Sequence, residues 1–73
     1  MKNKDIKLSI LMPVLNEGVN LKIMLKILRA TIEVPHEILI IYDGLDDDSI
    51  PVAKAMQPLY HHLKLVHNTF GRG

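Results

Sequence analysis

Apolar and mixed segments alternate along this chain. "KLSILMPVL" (7–15) is a short apolar run rich in Leu and Ile, and it reads as a strand buried on both faces. Pro13 is expected at its end, because proline cannot donate to a sheet ladder. In "NEGVNLKIMLKILRATI" (16–32) Leu21, Met24, Leu25, Leu28 and Ile32 recur at helical spacing, with Lys22, Lys26 and Arg29 off that face. Asn16 or a near neighbour caps the start of this helix, and Pro35 in "VPHE" breaks it. "EILIIYD" (37–43) is a second apolar run that fits a strand covered on both faces. "DDDSIPVAKAMQ" (46–57) predicts a short helix, capped by one of Asp47, Asp48 and Ser49, with Pro51 in its first turn and Pro58 as its stop. "HLKLVHN" (62–68) is a third strand with period-two character, and "TFGRG" is a loop.

The order β-α-β-α-β implies parallel pairing through right-handed crossovers. The fold class is therefore α/β: a three-stranded parallel sheet in strand order 3-2-1, with strand 1 at an edge. An apolar edge strand invites pairing with another chain, so a homo-oligomer through the strand 1 edge belongs among the expectations. The chain stops directly after a strand. Together with the exposed edge, this predicts a Rossmann-like half of a doubly wound sheet, residues 1–73 forming a single truncated half-domain of a longer protein.

Composition narrows the classes of function. A chain of 73 residues buries only about 60% of its unfolded surface, so it holds one domain at most. With 48% hydrophobic and 23% charged residues it is globular in character. Nine Lys and Arg against eight Asp and Glu leave a net charge of +1, too little to argue for nucleic acid or an anionic membrane. There is no Cys, hence no disulfide framework and no thiolate metal site, and a cytoplasmic setting is the simplest reading. The apolar start ends on Asn16 and Glu17, unlike a leader cleavage site, and no run approaches the roughly 20 apolar residues of a membrane span.

In open α/β sheets ligands bind beyond the carboxyl ends of the strands. Strand 1 delivers Pro13, Leu15, Asn16 and Glu17 to that rim, strand 2 delivers Tyr42, Asp43 and Gly44, and strand 3 delivers Asn68 and the turn Gly71-Arg72-Gly73. An ionised Asp43 only accepts hydrogen bonds, which suits the N–H edge of a pyrimidine or purine; a turn aspartate bonding its own backbone is the plainer alternative. The N-terminus of the first helix would offer free N–H groups and partial positive charge. Asp46, Asp47 and Asp48 formally contain D-x-D. A solvated cap of the second helix is the favoured reading, ahead of an incidental Mg or Ca site. His36, His61, His62 and His67 lack metal-ligand spacing and read as surface or packing residues. Met12, Met24 and Met56 read as core gap-fillers, and Arg72 as a terminal cation rather than a phosphate ligand.

These blocks in this order, "LSILMPVLNEG", "EILIIYDGLDDDS" and "LKLVHNTFGRG", resemble the N-terminal part of a family 2 inverting glycosyltransferase with a GT-A fold, similar to the polyprenyl-phosphate sugar transferases. That family reads roughly as hydrophobic-S-hydrophobic-hydrophobic-P-x-x-N-E, then E-hydrophobic-hydrophobic-hydrophobic-D-D-G-S-x-D, then N-x-G-x-G. The resemblance spans residues 7–73. It implies that Pro13, Leu15 and Glu17 line a base and ribose pocket, that Asp43 reads the base, that Gly44 lets the backbone pass closely under the ligand, and that Asn68, Gly71 and Gly73 lie near the nucleotide. Tyr42 replaces the family's first aspartate, Leu45 its serine, and Asp48 a glycine.

The resemblance further implies a UDP- or GDP-linked sugar donor, a divalent Mg or Mn in the intact enzyme, and inverting transfer at the cytoplasmic membrane face. The family's metal-binding D-x-D and catalytic base lie beyond the blocks present here. No catalytic residue and no metal ligand are therefore expected in this chain, and no transferase activity from it alone. The alternative is a non-catalytic α/β module that self-associates through its exposed strand edge.

Overall fold

The computed structural model describes residues 6–69. Strand β1 (Leu8–Pro13) leads into helix α1 (Gly18–Thr31), then strand β2 (His36–Tyr42), helix α2 (Ser49–Met56), a 3-10 turn at Gln57–Leu59 and strand β3 (Leu63–His67). The sheet is three-stranded and parallel, in the order β1-β2-β3. This is the α/β arrangement expected from the sequence, a Rossmann-like half. Proline closes two elements where its chemistry says it should. Pro13 is the last residue of β1, and Pro58 sits in the 3-10 turn that ends the second helical segment.

Both crossovers step the same way across the sheet, so right-handed connections put both helices on one face. One cluster of buried side chains results. Met12 and Val14 from strand 1 and its exit, Ile38 and Ile40 from β2, and Leu63 from β3 meet Leu21 and Leu25 of α1 and Ala53 and Met56 of α2. Leu21, Leu25 and Ile40 are fully buried. Tyr60 closes the amino-terminal end of this core, with the Arg29 guanidinium 5.3 Å from its ring centre.

The opposite face departs from expectation. Both β1 and β2 were expected to be covered on two sides, yet burial along β2 alternates, with only Ile38 and Ile40 fully enclosed. Leu11 and Val66 are exposed, and Leu39 and Ile41 are partly so. Among the described residues no helix lies over them. A run of consecutive aliphatic residues encodes a strand, but which of its faces is covered depends on where the helices land. At one end of this face Glu37 accepts a hydrogen bond from the Ser9 hydroxyl and pairs with Lys64 at 3.7 Å, a polar strip across all three strands.

Met24 is a second correction. It shares the period of Leu21, Leu25 and Leu28 but is exposed, because the buried stripe centres on Leu21 and Leu25 and Met24 falls at its margin. The different depths of two helix positions are directly measurable. Leu25→Ala should lower the unfolding free energy by about 2–5 kcal/mol, through lost burial and the cavity left behind. Met24→Ala should cost less than about 1 kcal/mol. Urea denaturation of the two variants checks this, and equal losses would contradict the packing described.

Candidate functional site

Register brings the strand ends level. Pro13 pairs with Ile41 across β1 and β2, and Tyr42 with His67 across β2 and β3. Val14 N–H donates to the Ile41 carbonyl (2.9 Å) and Asn68 N–H to the Tyr42 carbonyl (2.8 Å), so the ladder continues just past each strand. Three carboxyl ends therefore form one rim. Pro13 and Leu15 are exposed there, while Glu17, Asp43, Gly44 and Asn68 are half-buried. The Asn68 side-chain amide donates to Asp43 Oδ1 at 2.8 Å. The structure thus gathers six of the eight residues singled out in the sequence; Gly71 and Gly73 lie outside the described residues.

Behind Asp43, the His67 and Tyr42 rings stack with centroids 5.0 Å apart and planes 11° from parallel. His67 Nε2 lies 2.8 Å from the Asp43 carbonyl oxygen, which can only accept, so Nε2 carries the proton. Asp43 is thereby gripped at its backbone by His67 and at its carboxylate by Asn68. Sequence reading assigned His67 only a surface or packing role. The signal for its contact lay in the parallel register, which aligns the residue before Asp43 with the residue before Asn68.

The aspartate run does more than cap the helix that follows it. Asp48 is the N-cap residue of α2, but its side chain makes no cap to that helix. It reaches the other helix, where Gly18 N–H donates to Asp48 Oδ1 at 2.9 Å. Asn16 N–H donates to both carboxylate oxygens of Asp47 at 3.0 Å. Glu17 N–H donates to the Ser49 hydroxyl at 2.8 Å. In return Asn16 Oδ1 accepts from Asp48 N–H at 3.0 Å. Asn16 holds φ near 50°, a left-handed conformation that asparagine tolerates better than most residues.

The amide groups leading into α1 are therefore taken by the second loop, and these three are not open to a ligand. Carboxylates close to the N-terminus of α1 also suit the positive end of its dipole. Gly18 is required for this approach: a Cβ there would sit 2.9 Å from the Asp48 carbonyl oxygen. Gly44 is less constrained, since a Cβ there would meet only the mobile end of Asp46.

Asp47 accepts from Ser49 N–H at the start of α2 at 2.7 Å but is only 5% exposed, so the cap expected for this run is present and buried rather than solvated. Burial alone would raise its pKa. Donation from the Ser49 N–H and hydroxyl and from the Asn16 N–H outweighs burial and holds the carboxyl below its ordinary value. Asp47 also falls at the final position of the E-hydrophobic-hydrophobic-hydrophobic-D-D-G-S-x-D pattern, a signal that could have marked it as structural.

The remaining histidines are elsewhere. His36, His61 and His62 line a cleft at the opposite, amino-terminal end of the strands, with Arg29, Glu33 and Tyr60. Among the described residues no three His, Asp or Glu are placed to hold a metal ion.

The glycosyl transferase family 2 model matches residues 9–73. This chain belongs to that family. An uncharacterized glycosyltransferase of Escherichia coli strain K12, YibD, is 34% identical over 67 residues, covering 92% of this chain. The chain spans about a fifth (20%) of that relative's length. No solved structure matches it. No helix among the described residues is long and apolar enough to cross a membrane. Family 2 membership agrees with the resemblance drawn from the motifs and with the Rossmann-like half seen in the fold.

The loop-to-helix bonds carry a stability prediction with a definite sign. Asp47 has a lower pKa folded than unfolded, so its contribution is fully present above the unfolded carboxylate value, about 3.9. It is lost as pH falls through the folded value. Asp47→Asn should cost about 1–3 kcal/mol at neutral pH, because an amide cannot accept from all the same donors. It should also flatten the acid limb below about pH 4. Urea midpoints measured from pH 7 downward test both; an unchanged acid limb would remove Asp47 from this role.

Proposed function

We propose that this chain supplies the base-and-ribose part of a nucleotide-sugar donor site in a family 2 glycosyltransferase. The observation that carries the reading is Asp43. Its carboxylate stands at the carboxyl rim of a parallel sheet, held by the Asn68 amide at 2.8 Å. Pro13 and Leu15 stand on the neighbouring strand exit as exposed apolar surface for a base or ribose. A carboxylate oxygen carries two lone pairs, so an Asp43 that accepts from Asn68 can accept a ring N–H as well. Glu17 enters as a ribose contact and Gly44 as the floor beneath the ligand; Asn68 positions Asp43. Gly71 and Gly73 belong to the same reading by position in the sequence.

The donor is UDP- or GDP-linked, and the whole enzyme inverts the anomeric centre by direct attack of an acceptor hydroxyl, with a carboxylate base from another part of the protein. A divalent metal, Mg or Mn, belongs to the whole enzyme. Asp47 and Asp48 do not fit it, because both Asp47 oxygens and Asp48 Oδ1 accept from backbone N–H groups and no third ligand stands with them among the described residues, so no step is assigned to a metal here. Residues 1–73 act as a cytoplasmic nucleotide-binding half-domain, without turnover on their own.

Amide shifts of labelled protein titrated with UDP and then GDP, with and without Mg, test this. The expected result is movement clustered at Leu15–Gly18 and Asp43–Leu45, for one nucleotide more than the other. Asp43→Asn should weaken binding by about tenfold, the loss of a charge-assisted hydrogen bond. No movement up to millimolar nucleotide would overturn the reading.

The β1 edge supports a second reading, self-association. β1 pairs only with β2 among the described strands, and Leu11 on it is exposed. On this reading sedimentation equilibrium shows a dimer that Leu11→Lys dissociates, and a monomer at high concentration counts against it.

A further inference from the structure

We propose that the outer face of α1 docks on an anionic lipid surface. Val19, Ile23 and Ile27 recur every fourth residue and form one stripe directed away from the core. They are 83%, 55% and 57% exposed. Helices that pack their apolar residues inward do not need three aliphatic side chains on the far side. The stripe continues over Gly18 into a shallow apolar groove against Val52 of α2.

Charge tells what this stripe is suited to meet. α1 carries Lys22, Lys26 and Arg29 and no acidic residue over its fourteen positions. On the helical wheel all three cations fall on one flank of the stripe, between it and α2. Lys22 borders the groove with Val52, and Arg29 lies over Tyr60. Lys22 and Lys26 are exposed and form no ion pair among the described residues, where Lys64 with Glu37 is the only pair. The nearest acids sit at the helix ends. Glu17 is at the N-cap, Asp48 lines the groove beside Lys22 with its Oδ1 taken by Gly18 N–H, and Glu33 lies past the C-terminus.

An aliphatic stripe with a cationic flank, lying lengthwise on a surface, is the pattern of a helix seated in a lipid interface, apolar side chains among the acyl chains and lysines at anionic headgroups. The whole-chain charge of +1 conceals it, because the acids concentrate elsewhere. A nucleic acid would use the cations but not the stripe. A second copy of α1 would bring cations against cations. This inference is independent of the nucleotide reading.

The 73-residue chain is mixed with vesicles of phosphatidylcholine alone, or of phosphatidylcholine with phosphatidylglycerol, and the bound fraction is read by sedimentation. Binding to the phosphatidylglycerol vesicles is expected, weakening as salt rises. Lys22→Gln with Lys26→Gln should reduce that partition about twenty-fivefold, each lysine near an anionic surface being worth about fivefold. Ile23→Ser should reduce it as well, with the amide spectrum of the fold unchanged. Lys64→Gln, on the other face of the sheet, should change it by less than about twofold. Equal partition into both vesicle types, no partition, or an equal loss with Lys64→Gln would overturn the proposal. So would a dimer in solution that Ile23→Ser dissociates, since the stripe would then belong to a second copy.

Discussion

A buried carboxylate joins the two loops on which the rest of this structure depends. Asp47 sits where the second loop crosses the entrance to α1, and burying an unpaired carboxylate there would be severely unfavourable. It is tolerated because it accepts from the backbone of Asn16 and from both the backbone and the hydroxyl of Ser49. Those donors belong to the starts of two different helices. Two helix N-termini that would each hold unsatisfied N–H groups are tied together through one acceptor and its two neighbours, Ser49 and Asp48. Asn16, in its left-handed conformation, closes the arrangement by accepting from Asp48 in return.

The sheet makes this possible by keeping its strands in register. With Pro13 opposite Ile41, the loops leaving β1 and β2 start at the same height and on the same side. Right-handed crossovers then send both chains over the same face. α1 and α2 are laid side by side, with Val52 and the Asp48 backbone packed against Gly18. The same geometry leaves the other face with Leu11, Leu39, Ile41 and Val66 uncovered by any described helix. Covered core, uncovered sheet face and interlocked loops are consequences of one topological fact.

Much of this was legible in the sequence, and what was missed shares a cause. Element order, parallel pairing and strand order follow from the alternation of apolar runs with a helical period, which is a local property. Residues 13, 15, 17, 43, 44 and 68 could be assigned to one rim because parallel strands share a carboxyl end. The errors concern which part of the chain a residue touches. Asp47 and Asp48 look like caps for the helix that follows them, since capping is usually local. Asp47 does accept from Ser49 N–H at the start of that helix, but it also binds Asn16, and the Asp48 side chain turns to the helix some thirty residues earlier, contacts that only tertiary structure supplies. The uncovered face of β2 was invisible for the same reason. The run "EILII" is equally apolar on both sides, and the difference arises from helix placement. Met24 was missed by phase: the period was right, but the stripe's centre is set by what α1 packs against.

The placement of charge bears on which end of a nucleotide this rim suits. Asp43, Asp46, Asp47 and Asp48 are half of the chain's eight acidic residues, and with Glu17 they crowd the strand exits. Asp47 and Asp48 are partly offset by the helix ends they bind, but the field at the rim stays negative. A diphosphate brought against it would be repelled, and the α1 amides at Asn16, Glu17 and Gly18 are already bonded to protein oxygens. A base or ribose brings N–H and O–H donors, which an acidic rim accepts. Under the proposed reading, the electrostatics therefore favour the uncharged end of a nucleotide beside Asp43, with its phosphates away from the second loop. Cations are concentrated instead on the outer flank of α1, on another surface of the molecule. A chain with almost no net charge thus carries two faces of opposite sign, each suited to a different kind of contact.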